Sequence, residues 1–337
     1  DWFFPEGMNH HELLAGVPGL QRVFQGLARR VAGVGRLPDA APDGAGVAPP
    51  RPAIRREADV LVIGSGPGGM AAALELAARG RRVEVVDDDL RWGGAAGILE
   101  AVAPGPWRPL MDAFARAGVS AGASASPGAG AGASAVTLSL RTTAAGVFGD
   151  DVLLVFEGET PRVEVVRART LVLAPGAHDG AVAFEGNDVP GVMSARAGCR
   201  LLAHRVLPGA RVVVARVHGG GPFGRAFAAA RPDATVVEGV PLRAAGSARI
   251  KAVTFGDERD ERRIPCDALL VDAPVAPAYE LGAQAGASLT HETRGFVVRQ
   301  GAGGRVRDGV FVIGEAAGTP LEPGAIAAAA RALAAEA

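Results

Sequence analysis

The chain has 337 residues, 48% of them hydrophobic and 21% charged, with a formal net charge of −1, a length and apolar content that allow about two domains with a real core. Balanced charge leaves no electrostatic footprint for nucleic acid or an anionic membrane, and no apolar run is long enough to span a bilayer. The two cysteines, Cys199 and Cys266, belong to no Cys-x-x-Cys, so neither a sequence-adjacent redox dithiol nor a cluster ligand set is expected. A reducing, cytoplasmic setting fits.

The opening DWFFPEGMNHHE is acidic and aromatic, unlike a signal peptide, and it starts at Asp1 rather than methionine, as expected of a processed product or part of a longer polypeptide. His10 and His11 are adjacent and point different ways in most backbones, so no metal site is assigned. Leu13 to Val34 carry Leu20, Val23, Phe24, Leu27 and Val31 at helical spacing, closed by Gly33 and Gly35. A Pro-, Ala- and Gly-rich stretch follows, so residues 1–57 read as a helical arm on a linker.

Ala58 to Asp89 carry every element of a dinucleotide-binding strand-turn-helix-strand unit. Asp59 to Ile63 read as a buried strand. Gly64, Gly66 and Gly69 form Gly-x-Gly-x-x-Gly, for a tight turn, close pyrophosphate approach and close helix packing. The predicted helix from Pro67 to Arg79 aims its N-terminal amides and dipole at the pyrophosphate and ends at Gly80, suited to a left-handed cap. Val83 to Val86 read as the second strand. At its end Asp87, 23 residues after Gly64, is placed to accept hydrogen bonds from both ribose hydroxyls, while Asp88 and Asp89 would repel a 2′-phosphate.

Ala117 to Ala135 are low in complexity and read as a surface loop. Val136 to Arg141, Val152 to Glu157 and Arg162 to Arg167 suit a three-stranded meander, and Thr170 to Ala174 a buried strand leading into Ala174-Pro175-Gly176. Arg211 to Ala215 open a second unit whose glycines, from His218 to Gly224, repeat the motif in poorer form, with a helix over Arg225 to Ala230. Its next strand-end acid, Glu238, comes early for a full-length helix between. Arg249 to Phe255 and Arg263 to Asp272 read as further strands. Val310 to Gly318 read as a buried strand ending in Gly314-Glu315, before an alanine-rich helix from Pro323 to Ala335. The expected fold is α/β: a Rossmann-like FAD/NAD(P)-binding domain with a three-stranded β-meander (58–195 plus 292–337), interrupted by a smaller, partly eroded second dinucleotide-binding domain (196–291).

These residues resemble the two-dinucleotide-binding flavoprotein superfamily: GSGPGG, Asp87, Gly93-Gly94, APGAH and IGEAAG occur in its order. More narrowly, RTTAAGVFGDD (141–151), LVLAPGAHDGAVAFEGNDVPGVMSA (171–195) and CDALLV (266–271) resemble the α subunit of heterotetrameric sarcosine oxidase. They also resemble related subunits of proline dehydrogenases, opine oxidases and hydrogen cyanide synthase, and GLARRVAGVGRLPD resembles the segment that follows a small iron-sulfur domain there. The chain matches the central module of that subunit. It departs in Pro175, where the family has threonine, losing a hydroxyl and a backbone donor, and in Glu315, where flavin-binding members carry aspartate on the ribityl chain.

The resemblance implies a nucleotide-binding subunit of a multi-subunit, flavin-dependent oxidoreductase of amines or imino acids. Substrate would be oxidised in a β-type flavoprotein amine oxidase subunit, with FMN at the interface and an iron-sulfur protein or domain as a further partner. No catalytic residue is nominated in this chain. FAD is the expected occupant of the first site, with NAD or ATP as alternatives. Gly64, Gly66, Pro67, Gly68 and Gly69 would meet the pyrophosphate, Asp87 and Asp88 flank the ribose, and Gly94, Ala174 and Gly176 line the cleft. Glu315, followed by Ala316, would meet the ribityl chain. His178 is expected to make a structural hydrogen bond. A stand-alone NAD(P)H-dependent flavoprotein reductase and a non-catalytic, nucleotide-holding scaffold are the competing readings.

Overall fold

The chain divides into two compact units, Asp1–Arg51 and Pro52–Ala337. The computed structural model describes residues 52–117, 120–121, 135–157, 161–180, 182–257 and 260–337, with residue 26. The expected helical arm and the His10–His11 pair lie outside the described residues.

The second unit starts with β1 (Ile54–Ile63), α1 (Pro67–Ala77) and β2 (Val83–Val86). Val60, Leu61 and Val62 of β1 are fully buried, as a strand covered on both faces requires. Two helices that went unread in the sequence follow, α2 (Gly94–Val102) and α3 (Arg108–Arg116). Inside the stretch read as a loop, β3 (Ser120–Ala121) pairs in parallel with β4 (Val136–Ser139); residues 122–134 lie outside the described residues.

The meander differs from expectation. β4 pairs in parallel with β2 and so belongs to the Rossmann layer. The antiparallel meander is instead β5 (Thr142–Phe148), β6 (Asp151–Phe156) and β7 (Arg162–Leu173). The two strands read at 162–167 and 170–174 are one, β7, whose far half pairs in parallel with β1, from Val60↔Thr170 to Ile63↔Leu173. One long strand therefore serves both layers.

The chain leaves this sheet by β8 (Ala177–His178) and enters a second, all-parallel one. That sheet starts at β9 (Val192–Ser194), followed by α4 (Ala195–Ala203), β10 (Val212–Arg216), α5 (Pro222–Ala230) and β11 (Thr235–Glu238). β12 (Arg243–Gly246), β13 (Ile250–Asp257) and β14 (Asp260–Pro265) form a small antiparallel sheet, and β15 (Ala268–Asp272) completes the parallel one in the order β11-β10-β15-β9. The run read as one strand, Arg263 to Asp272, is thus two, turned at Cys266-Asp267 between different sheets.

β16 (Ala276–Pro277) pairs back onto β8. α6 (Glu280–Gln284) and the hairpin β17 (Leu289–Glu292), β18 (Gly295–Val298) lead to β19 (Arg305–Arg307), β20 (Val310–Val312) and α7 (Pro323–Glu336). β20 pairs in parallel with β7 and closes the first sheet. Both sheets feed one apolar core: Val60 and Val62 from the first, Val212, Val214 and Leu270 from the second, joined by Ala96, Leu99, Cys199, Phe223 and Phe227 from the helices between them.

Candidate functional site

The first glycine turn shows which glycines serve the chain and which face outward. A Cβ on Gly64 (φ +99°) would lie 2.2 Å from the Ala174 carbonyl oxygen, and one on Gly69 would lie 1.8 Å from that of Gly64. These two glycines let strand, turn and helix touch. A Cβ on Gly68 would lie 3.0 Å from Cα of Gly314, so the Gly314–Ala317 turn rests on the first turn of α1. Of these four only Gly66 is open, with no atom of the described residues within 4 Å of its Cβ position. Of the four glycines expected at a pyrophosphate, Gly66 is the one whose Cβ position is free of the described residues, while Gly64, Gly68 and Gly69 are also required for close contacts within the chain.

Those amides open α1, where Gly66 caps without a side chain and Pro67 takes the first helical position. Amides in the first turn have no intrahelical acceptor. A Cβ on Gly94, at the start of α2, would lie 3.0 Å from Cα of Gly66, so two helix N-termini flank the same opening. Gly176 (φ +83°) also has no atom within 4 Å of its Cβ position. Ala174 and Ala316 are buried.

Asp87 is half-buried and engaged within the turn. Its Oδ2 accepts from the amide and the hydroxyl of Ser65, each at 2.6 Å, and its Oδ1 accepts from the amide of Asp89 at 2.9 Å. A carboxylate offers about four lone-pair sites, so the two-hydroxyl role expected of Asp87 contracts to about one. Asp88 is exposed beside it. Partial loss of water and then the charge of Asp87 raise its carboxyl above the ordinary range. Asp89 is ion-paired with Arg200 of α4, which reduces its repulsion of a phosphate.

At the far end of the cleft, Glu315 meets Arg196, which the sequence reading did not single out. Arg196 Nη2 lies 3.2 Å from Glu315 Oε1, and its Nε lies 3.0 Å from Asp179 Oδ1. Its guanidinium sits 4.8 Å from the centre of the Phe223 ring. Burial raises the Glu315 carboxyl, and the Arg196 cation opposes the rise. The group borders a cavity of about 360 Å³ that Gly221, Asp272, Arg294 and Leu321 also line. His178 makes its structural hydrogen bond with Glu280, at 2.9 Å.

The second glycine turn, Gly219 to Gly224, is occupied by the chain itself. Asp272, at the end of β15, is 4% exposed, and its Oδ2 accepts from the Gly221 amide at 2.8 Å. Burial raises this carboxyl, and the amides of Gly221 and Gly224 with Arg216 oppose the rise. Glu238 is ion-paired with Arg216. Asp272 could have been noticed in the sequence as a charge ending an otherwise apolar strand; Arg196 carried no such signal.

Comparison with known proteins finds relatives in sequence and solved structures of the same fold. An opine oxidase subunit of Agrobacterium tumefaciens (strain Ach5) is 28% identical over 77% of this chain and 61% of its own length. The α subunit of sarcosine oxidase from Corynebacterium sp. (strain P-1) is 30% identical over 47% of this chain and 17% of its own. The alignments thus span less than two thirds of these relatives. Among solved structures, L-proline dehydrogenase from P. horikoshii superposes with a TM-score of 0.66 at 22% identity, covering 85% of this chain and 56% of that one. Thioredoxin reductase from T. acidophilum gives 0.60 at 14% identity, covering 83% and 97%. The family model for pyridine nucleotide-disulphide oxidoreductases matches residues 58–242, more than half of the chain, and the chain belongs to that family.

Proposed function

We propose that this chain is a nucleotide-holding, α-type subunit of a multi-subunit oxidoreductase acting on an amine or imino acid, with FAD bound at the first glycine turn and substrate oxidised in a partner subunit. The observation that carries the nucleotide site is the open Gly66, flanked by the N-termini of α1 and α2, with Asp87 and Asp88 at the end of β2. These residues fit the ADP half of a dinucleotide: first-turn amides and dipoles for the pyrophosphate, and carboxylates for ribose hydroxyls. FAD is favoured over NAD or ATP because Glu315 keeps acceptor lone pairs beyond those that Arg196 engages, and a ribityl chain has hydroxyls to give them. When bound, the flavin would supply electron transfer; Arg196 would hold Glu315 in its charged form and fixed in direction.

The likeness to opine and sarcosine oxidase subunits supports the assignment to a multi-subunit enzyme, with FMN at an interface and an iron-sulfur partner as parts of the same proposal. In this reading residues 58–195 with 292–337 hold the nucleotide and 196–291 form the insert, the edge strand β9 lying just ahead of that boundary. A second reading, a scaffold whose nucleotide is structural, is favoured by the closed second turn.

The test is to denature the purified protein and to identify and quantify the released nucleotide by chromatography with mass detection. One equivalent of FAD supports the proposal. NAD or ATP retains the site but moves the reading to the scaffold, and a protein that takes up none of the three overturns the site.

A further inference from the structure

The two glycine turns of this chain have the same spacing and opposite contents. In the first, the middle glycine, Gly66, has nothing within 4 Å of its Cβ position; in the second, the middle glycine, Gly221, has Asp272 Oδ1 at 3.2 Å. The last glycines differ in the same way. A Cβ on Gly69 would strike the backbone of its own turn, whereas one on Gly224 would lie 2.5 Å from Asp272 Oδ2, as would one on Gly220. The second set of glycines makes room for a carboxylate.

Strand register explains how the carboxylate reaches this place. Arg216 of β10 is paired with Glu238 of β11 on one side and with Asp272 of β15 on the other, so acid, base and acid lie in one row across the carboxyl ends of three adjacent parallel strands. In an open parallel sheet the ligand crevice lies outside those ends, where neighbouring connections diverge. Asp272 points into it, against the N-terminus of α5, with its carboxyl oxygens on amides that a phosphate would use. The acid that would meet a ribose, Glu238, is held by Arg216.

We propose that Asp272 is a built-in substitute for pyrophosphate, closing the second glycine turn to NAD(P)H and to any other dinucleotide. A ligand phosphate would have to displace a buried carboxylate from two amides, and the two anions cannot share them. The insert is then a dinucleotide-binding fold with an internal ligand, and this chain takes no hydride from NAD(P)H there. The proposal stands whichever nucleotide fills the first turn.

The test counts binding sites. The whole protein, as purified and after saturation with FAD, is titrated with ADP and with NADH up to millimolar concentration at neutral pH, by calorimetry and equilibrium dialysis. Wild type should hold no more than one nucleotide equivalent in all, and Asp272→Ala and Asp272→Ser should gain a second ADP equivalent, at least ten-fold tighter than any residual binding in wild type. A second NADH equivalent on wild type overturns the proposal, as does a folded Asp272→Ala or Asp272→Ser protein with no gain. Should neither variant fold, the wild-type stoichiometry decides alone. A wild type that binds nothing at either turn, with a second turn that gains ADP in the Asp272 variants, would sink the functional reading and leave this one intact.

Discussion

Asp87 is bound twice by Ser65, through the amide and the hydroxyl, both on the same carboxylate oxygen at 2.6 Å. The acid that the motif assigns to a ribose is therefore first a part of the turn, clamping the end of β2 to the first residue after Gly64. Removing it should be felt before any nucleotide is added. Asp87→Ala is expected to lower the stability of the nucleotide-free protein by about 1–3 kcal/mol, the cost of leaving a buried amide without its acceptor. Asp88→Ala should stay within about 0.5 kcal/mol of wild type, as exposed positions do, and should weaken ADP about ten-fold. Thermal unfolding with and without ADP separates the two; equal effects of both variants on the free protein would refute the division of roles.

The glycines of the first turn should separate just as cleanly. Gly69→Ala forces a Cβ to within 1.8 Å of the Gly64 carbonyl oxygen, and is expected to destabilise the fold by about 3 kcal/mol, the upper end of the usual cost of overpacking. Gly66→Ala meets no atom of the described residues within 4 Å, so the protein should fold normally yet lose most of its nucleotide. The check is the nucleotide retained per folded chain. A Gly66→Ala protein that keeps a full equivalent would show that the pyrophosphate does not approach there.

These contrasts also show what could be read from the sequence. β2 and α1, Gly66 and the acids at the end of β2 are local, encoded by glycine, proline and an apolar run within some thirty residues. The second turn was legible as a poor copy, but its filling was not, because Asp272 lies some fifty residues from Gly221 in the chain and reaches it only through the pairing of β10 with β15. Arg196 is likewise brought to Glu315 by tertiary packing. α2 and α3 went unread because glycine at the start of one and proline at the start of the other resemble turn residues, whereas in the fold both sit at helix N-termini, where each is tolerated.

The Arg196–Glu315 pair gives a pH prediction. Burial lifts the Glu315 carboxyl above its ordinary 4.5, so the native state keeps a proton that the unfolded chain has released, and stability falls as pH rises upward from that value. Arg196 limits this loss. Arg196→Met should cost about 3 kcal/mol at neutral pH by leaving a buried carboxylate unpaired, and should carry the fall in stability to higher pH. Arg196→Met with Glu315→Gln should recover most of it. Denaturant unfolding across pH 4 to 8 tests the cycle, and additive single-variant losses would exclude the coupling.

Both cysteines should be silent in the native protein. Burial, aided by Asp272, pushes the Cys199 thiol up to about 12, and burial with Asp267 beside it pushes Cys266 up to about 11. At pH 8 a disulfide reagent should titrate neither until denaturant is added, when both react. Unfolded thiols ionise from about 9 upward while the native ones stay protonated, so their contribution to stability declines as pH climbs above that value. Fast labelling of the folded protein would contradict their burial.

The apolar body shared by the two sheets ties residues 196–291 to the first glycine turn. A separate domain that stops binding its ligand can be trimmed away or left to swing on a hinge. Here Phe223 and Phe227 of the insert are packed with Ala96 and Leu99 beside the first glycine turn, so the insert is also the wall against which α2 leans. Losing it would strip the packing from one side of α2. Calorimetry should therefore find a single cooperative transition for residues 52–337 rather than two.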